Sequence, residues 1–323
     1  MRVLVTGGAG FIGSHIVDAL LESGHQPFVV DDFSSGRREN VAPNVPVFEV
    51  DICDGPKLAA TFETIAPDWV CHQAAQLSVS RSMQDPVIDA KINVIGLLQV
   101  LENAVRVKAK RFVFASSGGV LYGDVSSPAA EETPARPISP YGITKWVGEQ
   151  YLEFFARERG LQAVALRYAN VYGPRQDPHG EAGVVAIFSQ RLLAGQPATI
   201  NGDGRYIRDY VFVRDVARAN VLALTTDMPG RFLPINIGTG VGTDVNQLAE
   251  HIRRQVQSIW HEVGRGDTVP DFLHGEARSG DLRSSLVLAT RAQQTLGWRP
   301  EMGLDQGIRE TVSWFSKSRP TVG

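Results

Sequence analysis

The sequence predicts an α/β fold: a doubly wound parallel sheet, with a second, smaller α/β region toward the C-terminus. Three observations carry that prediction. Short β-branched and aromatic runs alternate with helical stretches through the first half of the chain. Those runs are continuously apolar, as strands covered on both faces must be. A glycine-rich turn also sits at the first strand–helix junction.

Each element has its own justification. "RVLVTGG" is a β-branched run closed by glycine, the form of a buried parallel strand. "FIGSHIVDALLESGH" carries Ile12, Ile16, Leu20 and Leu21 at helical spacing and stops at Gly24. "PFVVDD", "VPVFEVDI", "PDWVCHQAA" and "KRFVFASS" supply strands two to five, with helices between them, notably "DPVIDAKINVIGLLQVLENAVRV". "YGITKWVGEQYLEFFARERG" reads as a helix and "QAVALRYANVYG" as the strand after it. Beyond them "GVVAIFSQRLLAG" is helical, "RDYVFVRDVARANVLAL" is a strand feeding a helix, and "PINIGTG" is a further strand. Loop-rich segments such as "GRGDTVPDFLHGEARSGDL" lie where ligand contacts collect. A composition shift at Gly173-Pro174 marks the boundary: residues 1–172 with a returning segment 206–238 form the first domain, and 173–205 with 239–323 the second.

Composition narrows the function classes. With 323 residues, 43% hydrophobic and 21% charged, the chain has the make-up of an ordinary globular protein with an ample core. A net charge of −3 with scattered signs offers no basic stripe, which argues against nucleic acid as a partner. No apolar run approaches the roughly 20 residues that span a bilayer, and no secretory signal is visible, so a cytoplasmic protein without a membrane partner is expected. Cys53 and Cys71 form no Cys-x-x-Cys pattern, and the seven histidines are dispersed, so no metal site is expected.

Two patterns carry chemistry. "TGGAGFIG" places Gly7, Gly10 and Gly13 between the first strand and the first helix, where glycines let the backbone approach a pyrophosphate at a helix N-terminus. Asp31 closes the second strand, 18 residues after Gly13, where a carboxylate accepts from ribose hydroxyls and repels a 2′-phosphate. NAD is therefore expected rather than NADP. "SPYGITK" sets Tyr141 and Lys145 four apart on one helix face. An ammonium beside a phenol favours phenolate and so lowers the tyrosine pKa toward use as a base.

With "VDI" at 50–52, "HQAAQ" at 72–76, Asn93, "ASS" at 115–117, "RYANVYGPRQ", "RDYVFVRDVA", "NIGTG", "RSGD" and "LGWRP", the chain resembles the extended short-chain dehydrogenase/reductase family nearly end to end, and within it the bacterial UDP-glucose (UDP-galactose) 4-epimerases. The resemblance implies a Rossmann-type nucleotide domain, a smaller α/β substrate domain and a homodimer formed through a four-helix bundle. It implies Tyr141 as catalytic base and acid, Lys145 on the nicotinamide ribose, and Ser117, with Ser116 as the substitute, on the reacting hydroxyl. Cofactor contacts are implied for Gly7, Gly10, Phe11, Ile12, Gly13, Asp31, Asp32, Ser35, Gly36, Asp51, Ile52, Gln73, Ala74, Ala75, Asn93, Ser116 and Tyr168. Asp51 and Ile52 would flank adenine, and Asn93 would fix the sheet edge. Against the UDP-hexose it implies Arg208 and Arg278 on the diphosphate, with Asn170, Asn201, Asp281 and Ser285 nearby. Ser285 would border the hexose C2 substituent, where a small residue admits N-acetyl sugars.

Three departures from the family pattern stand out. The turn "SSGGVLYG" is one residue longer than usual, Leu77 stands where some members have lysine, and Asn201 where many carry an aromatic over uracil. The implied reaction is 4-epimerisation through a 4-keto sugar. A UDP-glucuronate 4-epimerase, a related dehydratase or decarboxylase, and a nucleotide-sensing regulator without chemistry stay open. The missing carboxylate after Ser117 speaks against the dehydratase and decarboxylase, and the Tyr/Lys pair against the regulator.

Overall fold

The computed structural model describes residues 1–178, 183–277 and 281–318. Its strands are β1 (Arg2–Thr6), β2 (Gln26–Asp31), β3 (Val47–Glu49), β4 (Trp69–His72), β5 (Arg111–Ser117), β6 (Gln162–Tyr168), β7 (Asn170–Tyr172), β8 (Thr199–Asn201), β9 (Ile207–Phe212), β10 (Phe232–Ile237), β11 (Gly242–Asp244), β12 (Leu273–Gly275) and β13 (Ser284–Ser285). Seven of them make one sheet in the order β10-β6-β5-β4-β1-β2-β3, every pairing parallel. The chain fills one side of β1 with β2 and β3, then crosses over and fills the other from β4 outward. The crevice at that reversal, outside the carboxyl ends of β1 and β4, is where such sheets bind ligands.

The apolar runs are buried as their composition requires. Val3, Leu4 and Val5 are fully buried, with Val3 and Val5 facing Ile16 and Leu20 and Leu4 facing Leu58, Phe62 and Leu97. A separate core around Phe188, Leu248, Trp260 and Ile308 supports the C-terminal region. There β11, β9 and β13 form a second sheet, joined by β7, and β12 pairs with β8.

Two expectations change here. "QAVALRYANVYG" is not one strand: it breaks at Ala169, whose N–H goes to Ile237 O, and β7 leaves the large sheet to pair with β9. The segment 206–238 is also divided. Its helix Val213–Thr225 and β10 return to the large sheet, whereas β9 stays in the second one, held between β7, β11 and β13.

The long helical stretch after β4 forms, with one irregularity. Pro86–Ala90 runs into a π-helical turn, Lys91–Gly96, and continues as Leu97–Arg106. The turn widens the backbone around Asn93, which is buried. Such turns recur at functional sites.

Candidate active site

The carboxyl edge of the large sheet collects the nucleotide residues. Gly7 follows β1 with φ +67°, the left-handed region that suits glycine. A Cβ on Gly7 would lie 2.7 Å from Ala74 N, and one on Gly13 would lie 2.1 Å from Gly7 O. The glycines are therefore demanded by backbone packing. Gly10 differs: its Cβ would meet only Gly7 O, at 3.2 Å, so a side chain there would fill the open space over the helix Phe11–Glu22. No side chain caps that helix and no acid lies in its first turn, which leaves its N-terminal N–H groups and dipole to an anion.

Asp31 is buried at the end of β2 and accepts from Ala9 N and Phe33 N, both at 2.9 Å. A Cβ on Gly36 would lie 2.6 Å from its Oδ1, so the loop presses against the carboxylate. This cradle, with its acidic end and bare helix terminus, fits an adenosine diphosphate carrying free ribose hydroxyls, the adenosine half of NAD. Phe11 and Ile12 are half-buried in the first turn of the helix below. Asp32 is exposed and accepts from Ser34 N and Oγ, so it begins the loop that carries Ser35. Asp51 caps Cys53 N at 2.8 Å, while Ile52 is buried against Gly96. Ala74 N reaches Thr6 Oγ1 at 3.3 Å, and Ala75 beside it is half-buried.

The catalytic helix, Pro140–Arg159, starts where the sequence directs. Ser139 caps it by accepting from Gly142 N at 3.2 Å, proline opens it, and Gly160 ends it in the left-handed region. Tyr141 sits in its first turn. Part of the residue reaches the surface, but the phenol lies deep, with Ser117 near enough to favour its ionised form. Lys145, one turn on, is buried, donates from Nζ to Ala115 O at 2.9 Å, and lies 5.6 Å from the Tyr141 ring centroid. The two side chains are thus brought together at the end of β5.

The expected pKa direction is reversed. Burial raises the Tyr141 phenol, Asp89 raises it further, and nearby Ser117 only partly opposes them. Burial also lowers Lys145 to about 8, with Asp89 acting against the change. Desolvation is the largest cause for both groups, because burial penalises the charged form of each.

The serine ambiguity is resolved by partners. Ser116 is buried and donates to Glu149 Oε1 at 2.5 Å, inside the Glu149–Arg167 ion pair, which leaves Ser117 as the serine beside Tyr141. The long turn adds Gly119, whose Cβ would lie 3.1 Å from Asn170 Oδ1 and 3.7 Å from Ser117 Oγ. Ser285 is buried and donates to Gly119 O at 3.1 Å, two residues beyond Ser117. Its neighbour across β9, Arg208, donates to Asp281 at 3.1 Å. Asn201 ends β8 opposite Gly275. Arg278 lies outside the described residues.

Three implied cofactor residues are committed elsewhere. The Tyr168 hydroxyl lies 3.0 Å from Asn220 Oδ1 and 3.3 Å from Gln73 Oε1, and Gln73 Nε2 reaches Cys71 Sγ, so both side chains are tied beneath the sheet edge. Asn93 receives Gln76 N and donates to Gln76 O, both at 2.9 Å, so its amide is engaged with the backbone just beyond β4. His72 is structural: its Nδ1 pairs with Thr6 Oγ1 at 2.7 Å, and burial holds it neutral, at about 3.

Sequence reading missed Asp89, Thr144 and Glu149. Asp89 is fully buried and accepts from Gln76, Asn93 and Thr144. Its spacing of four from Asn93 was the available signal. Among the described residues no group of His, Cys, Asp or Glu is placed to hold a metal ion, and no helix is long and apolar enough to cross a membrane.

Known proteins share this architecture. Residues 3–238 match the model of the NAD dependent epimerase/dehydratase family. A UDP-glucose 4-epimerase of Mycolicibacterium smegmatis is 45% identical over 98% of each chain. The crystal structure of the Thermotoga maritima UDP-glucose 4-epimerase with UDP-glucose superposes with a TM-score of 0.92 at 46% identity, covering 98% of this chain and 99% of that one. The Thermus thermophilus UDP-glucose 4-epimerase complexed with NAD gives 0.91 at 43%, covering 99% and 100%. A UDP-N-acetylglucosamine 4-epimerase from Methanobrevibacter ruminantium gives 0.89 at 33%, covering 98% and 99%. With its glycine turn, its strand-end carboxylate and its Ser117–Tyr141–Lys145 group at one sheet edge, this chain belongs to the NAD dependent epimerase/dehydratase family.

Proposed function

We propose that the chain is a UDP-sugar 4-epimerase that interconverts UDP-glucose and UDP-galactose on a bound NAD. The observation that carries this is the placement of Tyr141 one helix turn from buried Lys145, whose Nζ lies 5.6 Å from the phenol ring, at the end of the strand that carries Ser117 and beside the glycine cradle. Relatives of the same length that carry the same activity support it. A bound NAD, held by the glycine turn, Asp31 and Lys145, would supply hydride acceptance and return at C4 and a positive charge that favours phenolate. Tyr141 removes the C4 hydroxyl proton and later gives one back, while Ser117 holds the reacting oxygen. Lys145 keeps its place through Ala115 O and can serve the cofactor ribose. Arg208 would anchor the diphosphate about which a 4-keto sugar turns to present its other face.

Ser285 deepens this reading. It is small, buried and turned to Gly119 O, so it leaves room at C2 and supports turnover of UDP-GlcNAc and UDP-GalNAc as well. We also infer a homodimer. Ile95, Trp146 and Phe154 are about half exposed on helices whose other faces bury Leu101 and Phe155, and a second copy pairing those helices into a four-helix bundle would cover them. Residues 1–168 with the helix Val213–Thr225 and β10 form the nucleotide domain of this assignment, and β7, β9 and the remaining C-terminal elements the sugar domain. The free thiols Cys53 and Cys71 suit a reducing cytoplasm.

The test is product analysis by NMR after incubation with each UDP-sugar. Wild type yields both 4-epimers, and Tyr141→Phe loses about 10²–10⁴-fold in rate while keeping its nucleotide. A Tyr141→Phe protein within threefold of wild type would overturn the assignment.

A further inference from the structure

Asp89 and Lys145 are opposite charges in one dry site. Both are buried, at 0% and 4% exposure, and among the described residues neither forms an ion pair with any group. A lone buried charge is costly unless hydrogen bonds and an opposite charge compensate it. Asp89 has the hydrogen bonds: Oδ1 accepts from Gln76 Nε2 at 2.8 Å and Asn93 Nδ2 at 3.0 Å, and Oδ2 from Thr144 Oγ1 at 2.9 Å. Those donors come from the loop after β4, the π-helical turn and the catalytic helix. Thr144 immediately precedes Lys145, and its Oγ1 also lies 3.0 Å from Tyr141 O.

We propose that Asp89 is a positioning residue: through Gln76, Asn93 and Thr144 it locks the catalytic helix against β4, and its charge balances Lys145 and so sets the pH range of the Tyr141–Lys145 pair. The remaining ionisable neighbours leave it that role. On the sheet below, burial holds His72, Cys71 and Tyr168 in their neutral forms. Glu149, one turn beyond Lys145, is balanced by Arg167. Arg81, Asp85 and Lys91 on the flanking helices are exposed to solvent.

Asp89→Asn separates charge from geometry. The amide oxygen can keep Gln76 and Asn93, and the amide nitrogen can donate to Thr144 Oγ1, whose hydroxyl then turns to Tyr141 O. The loss of a negative charge disfavours the protonated states of the pair, so both macroscopic steps must move down. The activity measurement rests on the epimerase reading; the titration does not. In Asp89→Asn, both limbs of the kcat/KM profile should shift to lower pH by about one unit. The phenolate absorbance of Tyr141, taken as the difference between each protein and its Tyr141→Phe counterpart with nucleotide bound, should appear at lower pH than in wild type. Thr144→Val, which keeps the charge and removes a hydrogen bond, should lose a few-fold in kcat with unmoved limbs. Unmoved limbs in Asp89→Asn, a phenolate signal at no lower pH, or failure of that variant to fold would overturn the proposal. Full activity in Tyr141→Phe would strike the epimerase reading instead and leave the Asp89 titration to be judged alone.

Discussion

The two ends of the candidate site are built by different means. On the nucleotide side, polar groups are buried and joined in networks: Asp89 with Gln76, Asn93 and Thr144, and Glu149 with Ser116, Arg167 and Tyr122. On the sugar side, the strands are two to six residues long and the charged pairs are wetter, as with Arg283–Asp203 and Arg208–Asp281. A buried network fixes atoms to the tolerance that proton transfer needs, because each member loses its partner if another moves. Exposed pairs constrain little, so side chains around the sugar can be exchanged without disturbing the chemistry.

That contrast can be broken most directly at one ion pair from each side. Glu149→Ala strips Arg167 and Ser116 of their partner in the interior, and should destabilise the fold by about 3–5 kcal/mol with a large drop in Tm. Arg283→Ala, at the exposed pair, should leave Tm unchanged. Equal effects in thermal melts would erase the distinction. The next effect is on specificity. Ser285→Tyr should selectively depress kcat/KM for the N-acetyl sugars by about 10–200-fold, while UDP-glucose turnover changes little. Comparable losses for both sugar pairs, or no turnover of UDP-GlcNAc by wild type, would show that another side chain borders C2.

A smaller effect concerns acid stability, and it should come from the nucleotide side. His72 and His15 have folded values lowered by burial to about 3 and about 4. Below roughly pH 6.5 the unfolded chain binds their protons more tightly than the fold does. Stability is therefore full above that pH and falls as pH drops toward the folded values, by about 1.4 kcal/mol per unit for each histidine. His15→Gln, which can still donate to Pro174 O, should flatten the fall of Tm between pH 6.5 and 4.5. An unchanged slope would mean that His15 is not held neutral.

Much of this was legible in the sequence, for physical reasons. The glycines announce themselves because their Cβ positions are blocked by backbone, and the strands because burial on both faces demands unbroken apolar runs. The Tyr141–Lys145 pair follows from helical spacing alone. What stayed hidden depends on pairings that no local pattern encodes. The break at Ala169 follows from the competing claims of Ile237 and β9. The choice between Ser116 and Ser117 is made by Glu149, 33 residues on, and the raised phenol by burial and by Asp89. Charge neighbours across a fold can be counted in a sequence but not placed.

The central claim is that one sugar carbon loses and regains the same hydrogen inside this site while Tyr141 handles only the hydroxyl proton. UDP-glucose deuterated at C4 tests it directly. Incubation with the purified protein in ordinary water should give UDP-galactose that retains the deuterium at C4, with no added redox partner and no label in solvent. UDP-galactose carrying solvent hydrogen at C4, or label released into water, would contradict it.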